Sequence, residues 1–205
     1  MITRREFVLA ICGAALAAPM RSIAQPGGKV FRIGYLDVAS AFSRADRVEA
    51  LRAGLRELGY IENKNVVIEF RWAEGKYERI NDLAAELARM NVDVIVSSGT
   101  PCTIAAKRAT STIPIVMVGA GDPVATGIVT SLVRPPANVT GTAIFSPELM
   151  VKRLQLLREI APRTKAVAVL ANPENPGHAN TNKILESAAG KMRIGVKKFD
   201  ASSLD

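Results

Sequence analysis

Apolar positions in this chain recur at two alternating periods. From Val30 onward, short and nearly continuous apolar runs take turns with stretches in which apolar residues fall at helical spacing. Residues 30–36 (VFRIGYL) read as a first strand; Val48, Leu51, Leu55 and Leu58 follow as a helical stripe, with Gly59 as its stop. Residues 66–70 alternate as a second strand, and Ile80, Leu83, Ala84 and Leu87 mark a second helix. Residues 92–96 (VDVIV) form a third strand with the near-continuous apolar character of a sheet covered on both faces. Ser98-Gly99-Thr100-Pro101 turns into a helix ending near Thr110. Residues 113–118 are a fourth strand, followed by Gly119-Ala120-Gly121-Asp122-Pro123 and a helix that ends before Arg134-Pro135-Pro136. A fifth strand covers residues 139–144. An amphipathic helix with Met150, Leu154, Leu157 and Ala161 on one face comes next, then a strand at 166–171, a helix to about Lys191 and a strand at 194–199. Strands alternating with helices predict βαβ units, hence the α/β class with a parallel sheet flanked by helices. No internal repeat or low-complexity segment interrupts the pattern.

The first 24 residues stand outside it. Arg4-Arg5 precedes an apolar run from Phe7 to Ala18, and Ser22-Ile23-Ala24 supplies small residues at the positions where a signal peptidase cuts. The arginine doublet predicts the twin-arginine route, with the general secretory route as the alternative; a membrane-spanning helix fits less well, because about 20 apolar residues are needed. Of 205 residues, those beyond the signal suffice for one core, or for one domain and part of a second. Arg4, Arg5 and Arg21 less Glu6 contribute +2 of the formal net charge of +8, leaving +6 spread along the chain. With three Tyr, one Trp and no aromatic-basic interleaving, this reads as a solvated basic surface rather than a nucleic-acid site. Cys12 follows Ile11, which is not the small residue that precedes a lipoprotein cysteine. Cys102 has no intramolecular disulfide partner left, and the single His178 has no metal-ligand companion at useful spacing. No cofactor and no metal are expected.

Ligands of open parallel sheets bind outside the carboxyl ends of the strands. Ser97-Ser98-Gly99-Thr100-Pro101 is one such place. Thr100 suits the N-cap and Pro101 the first helical position, Gly99 admits close backbone approach, and the free amides of the first turn favour a carboxylate or phosphate. An ordinary capped helix start fits the same residues. Gly119-Ala120-Gly121-Asp122-Pro123 resembles the opening of a dinucleotide fingerprint, but Val124 stands where the third glycine belongs. Asp122 there caps the next helix or accepts from a ligand ammonium. Trp72 either packs at a strand end or stacks on a ligand. The chain has no GxSxG, P-loop, HExxH or carboxylate pair at a meaningful spacing. An exported α/β hydrolase acting on a small molecule, the alternative class, would need a nucleophile–base pair or metal cluster.

Several blocks taken in order resemble a known family. They are Gly54-Leu55-Arg56-Glu57-Leu58-Gly59-Tyr60, Ile68-Glu69-Phe70-Arg71-Trp72-Ala73-Glu74-Gly75, Val92-Asp93-Val94-Ile95-Val96 and Thr112-Ile113-Pro114-Ile115-Val116. Asp122-Pro123-Val124, Arg134 to Gly141 and Lys152-Arg153-Leu154 continue the series. The chain is similar to the ABC-transporter substrate-binding proteins of the tryptophan/tyrosine-type uptake family, within the type I periplasmic binding fold. It departs from the family at Pro136-Ala137, where Gly-Gly is usual.

The resemblance implies two α/β lobes closing on a small, amino acid-like solute, which an ABC permease and its ATPase import from the periplasm; it implies no enzyme and no nucleic-acid partner. By it, residues 29–143 form lobe one, 144–147 the crossover hinge and 148–205 an incomplete lobe two. Ligand contacts are then expected from Ser40, Phe42, Ser98, Gly99, Thr100, Gly121, Asp122, Phe145, Ser146 and Asn172. Thr100 and the amides after it would hold the ligand carboxylate, Asp122 the ammonium, and Phe42 or Phe145 the side chain. Family members are longer, so a C-terminally truncated chain is expected, with exposed strand edges near its end and weak binding, or none, on its own.

Overall fold

The computed structural model describes residues 29–133, 138–144 and 146–201. Residues 1–24, Pro136-Ala137 and Phe145 of the sequence expectations lie outside them. Five parallel strands make the larger sheet, in the order β2-β1-β3-β4-β5. They are β1 (Phe31–Asp37), β2 (Val66–Trp72), β3 (Val94–Ser98), β4 (Ile115–Gly121) and β5 (Val139–Ile144). The helices between them are α1 (Ala45–Glu57), α2 (Ile80–Arg89) and α3 (Gly99–Ala109).

Side-chain alternation along the strands sorts this core into two clusters. Leu36, Ile95, Ile115 and Met117 point one way, against Leu83 and Leu87 of α2 and Ala106 of α3. Ile33, Tyr35, Ile68 and Val96 point the other way, joined by Leu51 and Leu55 of α1 and by Phe70 and Trp72. Each fully buried leucine here contributes about 1.5–3 kcal/mol through burial. Trp72 stacks on Phe70 with ring centroids 5.5 Å apart, and is thus the packed strand-end aromatic of the two alternatives.

The segment after β4 corrects the sequence expectation. No helix forms over the described residues 123–133. Thr126 N donates to Asp122 O at 3.1 Å and closes one turn, and Gly127, at φ +72°, ends it. Ile128 and Val129 then dive into the core, which a continued helix would prevent, and Lys107 Nζ donates to the carbonyls of Gly127 and Ile128 at 2.8 and 2.7 Å. Gly119 to Gly121 likewise do not form a loop; they belong to β4, whose pairing with β5 shifts register between Met117 and Ala120. This bulge re-aims the end of the strand.

The remaining elements are α4 (Ser146–Ile160), β6 (Ala166–Ala171), α5 (Gly177–Lys191) and β7 (Gly195–Asp200), with β6 and β7 paired in parallel. Leu154, Leu185, Ala189 and Ile194 form their core, with Met150, Val167, Val169 and Val196 packed against it. Leu157, expected on the buried face of α4, is 41% exposed. On the opposite face of the pair, Leu170 is 75% exposed beside its register partner Phe199. In a sheet of two strands each strand keeps one unpaired edge among the described residues. No helix among them is long and apolar enough to cross a membrane.

Candidate functional site

The carboxyl ends of β1, β3, β4 and β5 meet at one edge of the larger sheet, because all its strands run parallel. At β1 the last residue is Asp37, fully buried although its strand is otherwise apolar or aromatic at the core positions. Its Oδ1 accepts from Ala39 N at 2.9 Å; its Oδ2 accepts from Arg44 Nε at 3.0 Å and, at 3.4 Å, from the Tyr35 hydroxyl. Burial, and after it the Asp37 charge, raises the Tyr35 phenol above its ordinary value, so the ring keeps the proton it donates. Sequence reasoning missed this pair. Its one signal was a carboxylate closing an apolar strand, with an arginine seven residues on.

Between them lies the loop that carries Ser40 and Phe42. Ser40 Oγ accepts from Ser43 N at 3.3 Å, and Ser43 Oγ donates to Ser40 O at 3.0 Å, which shapes the single 3-10 turn Phe42–Arg44. Phe42 packs on nothing and is 94% exposed.

At β3 the chain turns straight into α3. Ser98, buried, is the last strand residue, and Gly99 at φ +78° makes the corner, a conformation that side chains strain to adopt. Ser97 and Thr103 share a buried hydrogen bond at 3.0 Å, and Thr103 Oγ1 donates to Gly99 O at 2.8 Å, so the corner is braced from inside. The helix begins two residues earlier than the sequence indicated, at Gly99 rather than Pro101, which takes Thr100 from the cap into the first turn. Its hydroxyl caps nothing; it accepts from Gly121 N at 2.9 Å and ties the end of β3 to the end of β4. A bond from the helix start to the end of β4 was available to this buried hydroxyl, and it took the place of a local cap. The first turn of α3 still presents its amide end at this edge, and helix N-termini favour anions.

Asp122, at φ +31°, follows β4. Its Oδ1 accepts from Ala125 N at 3.0 Å, so it holds a turn; the helix that the sequence reading had it cap does not form. Its Oδ2 accepts from Asn180 Nδ2 of α5 at 3.2 Å. Gly177, the first residue of α5, sits directly on Thr100: a Cβ built on it would lie 2.9 Å from Thr100 Oγ1. The amino ends of α3 and α5 therefore face each other across Thr100 and Asp122. Sequence reasoning had not singled out Asn180 or Gly177, since nothing local marks which face of α5 meets another unit.

Asn172 organises the loop before α5. Its Oδ1 accepts from Glu174 N at 2.8 Å, and Asn175 Oδ1 accepts from Gly177 N at 3.0 Å. The structure thus brings Ser98, Gly99, Thr100, Gly121 and Asp122 together, with Asn172 reaching them through its loop. Ser40 and Phe42 stand on the neighbouring β1 loop, and Ser146 opens α4 immediately after the β5 end. Tyr77, Pro101, Ile104 and Arg108 face Glu174 and Pro176 across a groove of about 220 Å³. Among the described residues no cluster of three or more His, Cys, Asp or Glu could hold a metal ion.

Cys102, in the first turn of α3, is fully buried. Burial, then the nearby Asp37 charge, pushes its thiol up to about 12. It is therefore a protonated packing group and not a nucleophile. In protein with Cys12 replaced by serine, a disulfide reagent at pH 8 is expected to leave Cys102 untouched until denaturant is added; rapid reaction of the native state would contradict this.

Comparison with known proteins bears on the family and the fold. A family model described as ABC transporter substrate binding protein matches residues 33–205. A tyrosine-binding protein of Clostridioides difficile is 33% identical over 118 residues, 58% of this chain and 34% of that protein. A conserved domain protein from Vibrio cholerae superposes with a TM-score of 0.78 at 29% identity, over 85% of this chain and 58% of its own. An ABC domain from Streptococcus pneumoniae, solved in complex with L-Trp, gives 0.74 at 25% identity, over 84% and 58%. The chain spans between about a third and somewhat over half of the length of these relatives.

Proposed function

Because the chain belongs to the ABC transporter substrate binding protein family and has the type I periplasmic binding fold, we propose that it receives a small carboxylate-bearing solute, amino acid-like in size, for delivery to an ABC permease and its ATPase. The site lies between the strand-end loops of the five-stranded sheet and the loop of residues 172–177. The observation that carries this reading is the bond from Asn180 to Asp122, with Gly177 seated on Thr100: the smaller unit rests on the loops where parallel sheets bind their ligands. In this reading residues 29–143 and 148–205 are two lobes hinged at 144–147, a division supported by their separate sheets. Residues 1–24 export the chain to the periplasm by the twin-arginine route.

The amides at the start of α3 attract the acidic end of the solute. Thr100 acts one step back, fixing Gly121 beside them. Asp122 is already held by one amide and one side-chain amide, and a solute ammonium replaces Asn180 as the stronger, charge-assisted donor. Phe42, fully open on its loop, or Phe145 folds over the solute side chain. The family is one of substrate-binding proteins. That this chain performs no catalysis belongs to the proposal, and its Asp37 and Asp122, both engaged by donors, support it over an exported hydrolase.

L-tryptophan, L-tyrosine and benzoate titrated calorimetrically test the reading. Asp122→Asn keeps an acceptor for Ala125 but loses the charge. It is expected to weaken both amino acids by about tenfold or more, and to leave benzoate, which has no ammonium, unchanged. Equal affinities of variant and native protein for the amino acids, or no binding of any of the three probes, would overturn it.

A further inference from the structure

Arg44 stands at the same edge of the sheet, and its charge is not exhausted there. Its Nε donates to the fully buried Asp37. The second Asp37 oxygen accepts from Ala39 N, and Arg44 meets the carboxylate at one point, through Nε alone. A guanidinium carries five N–H donors. Among the described residues no protein acceptor faces either Nη atom of Arg44, while the side chain is 24% exposed and so reaches the open edge. A buried carboxylate deprived of its cation is strongly unfavourable, which pins the arginine in one place. A pinned donor fork loses little side-chain freedom when it binds. Val38, the residue after Asp37, packs against the core cluster that contains Cys102 of the first turn of α3, so the pair lies on the same side of the sheet edge as the amides assigned to the solute's acidic end.

We propose that the Nη face of Arg44 receives the solute carboxylate, so that Arg44 determines specificity for acids and Asp37 is its positioning residue. The inference rests on the solute-binding reading above and adds to it the group that reads the carboxylate. A surface arginine that merely fastens the β1 loop is the competing role, and it makes no distinction between an acid and its amide.

That distinction is the test. L-tryptophan and L-tryptophanamide differ only at the carboxylate and are titrated into native protein, Arg44→Lys, Arg44→Gln and the double variant Asp37→Asn/Arg44→Gln. The double variant removes the stranded buried charge and so keeps the measurement possible if Arg44→Gln fails to fold. Native protein is expected to prefer the acid by about 30-fold or more, and the double variant by no more than about threefold, with amide affinity unaltered. Arg44→Lys, which keeps the charge but not the fork, is expected to fall between them. If the double variant retains the native preference, or loses acid and amide equally, Arg44 only fastens its loop and the proposal falls while solute binding stands. Native protein that binds neither probe removes both.

Discussion

Replacing Gly141 by alanine is expected to destabilise the fold severely. Gly141 lies in β5 at φ +132°, which side chains rarely adopt, and a Cβ there would sit 2.0 Å from Met117 O and 2.7 Å from Met117 N. The strained backbone alone costs about 1–3 kcal/mol. The overlap is with backbone, so no rotamer change relieves it; only separating β4 from β5 does, at a cost comparable to overpacking, about 1–3 kcal/mol more. Met117 and Val139 are core residues flanking this contact, so separation also exposes them. A total of about 2–6 kcal/mol is a large share of the roughly 5–15 kcal/mol that holds a domain together. Urea denaturation followed by circular dichroism reads it directly. A midpoint within experimental error of native protein would show that the bulge at Met117–Ala120 has been misplaced.

Gly177→Ala is expected to act on binding rather than on folding. The added methyl meets Thr100 Oγ1 at 2.9 Å, Asn175 Oδ1 at 3.2 Å and Thr100 Cβ at 3.4 Å. Thr100 cannot swing aside, since its hydroxyl is buried and holds Gly121 N. The amino end of α5 must therefore lift, and Asn180 moves out of reach of Asp122. Neither sheet is disturbed, because Gly177 is the first residue of α5 and lies outside both. If the arrangement with the two helix ends in contact is the one that binds, raising its free energy lowers apparent affinity in proportion to the population lost, on the order of tenfold for about 1.4 kcal/mol. Calorimetry with L-tryptophan on a variant shown to melt normally checks this. Unchanged affinity would mean that this contact plays no part in holding solute.

How much of this was legible in the sequence depends on how local each cause is. The strand at residues 166–171 and the helix ending at Lys191 emerge where the pattern put them, since apolar alternation and a Pro-Gly start are local signals. The supposed helix after Pro123 fails because Gly127 must turn at positive φ so that Ile128 and Val129 can be buried, a tertiary demand that periodicity does not encode. Leu157 reads as core by spacing but remains half open, because the packing partners of α4 reach Met150 and Leu154 and not that far along the helix. The candidate site shows the same divide. Strand-end loops at Ser98–Thr100 and Gly121-Asp122 follow from the strand pattern and from how parallel sheets bind ligands. The Thr100–Gly121 bond spans 21 residues and the Asp122–Asn180 bond 58, so the roles they set could not be read from neighbours in the chain. Asp37 and Arg44 are close in sequence, yet only the burial of Asp37 makes the pair significant.

Whether solute binds where the strand ends meet α5 is measured most directly by backbone amide chemical shifts during titration with L-tryptophan. The account predicts saturable shifts concentrated at Arg44, Gly99, Thr100, Gly121, Asp122 and Asn180, with the rest of both sheets quiet. Shifts confined to the groove between α4 and α5, around Val151, Gln155, Ile184 and Lys191, or no shifts at saturating L-tryptophan, would contradict it.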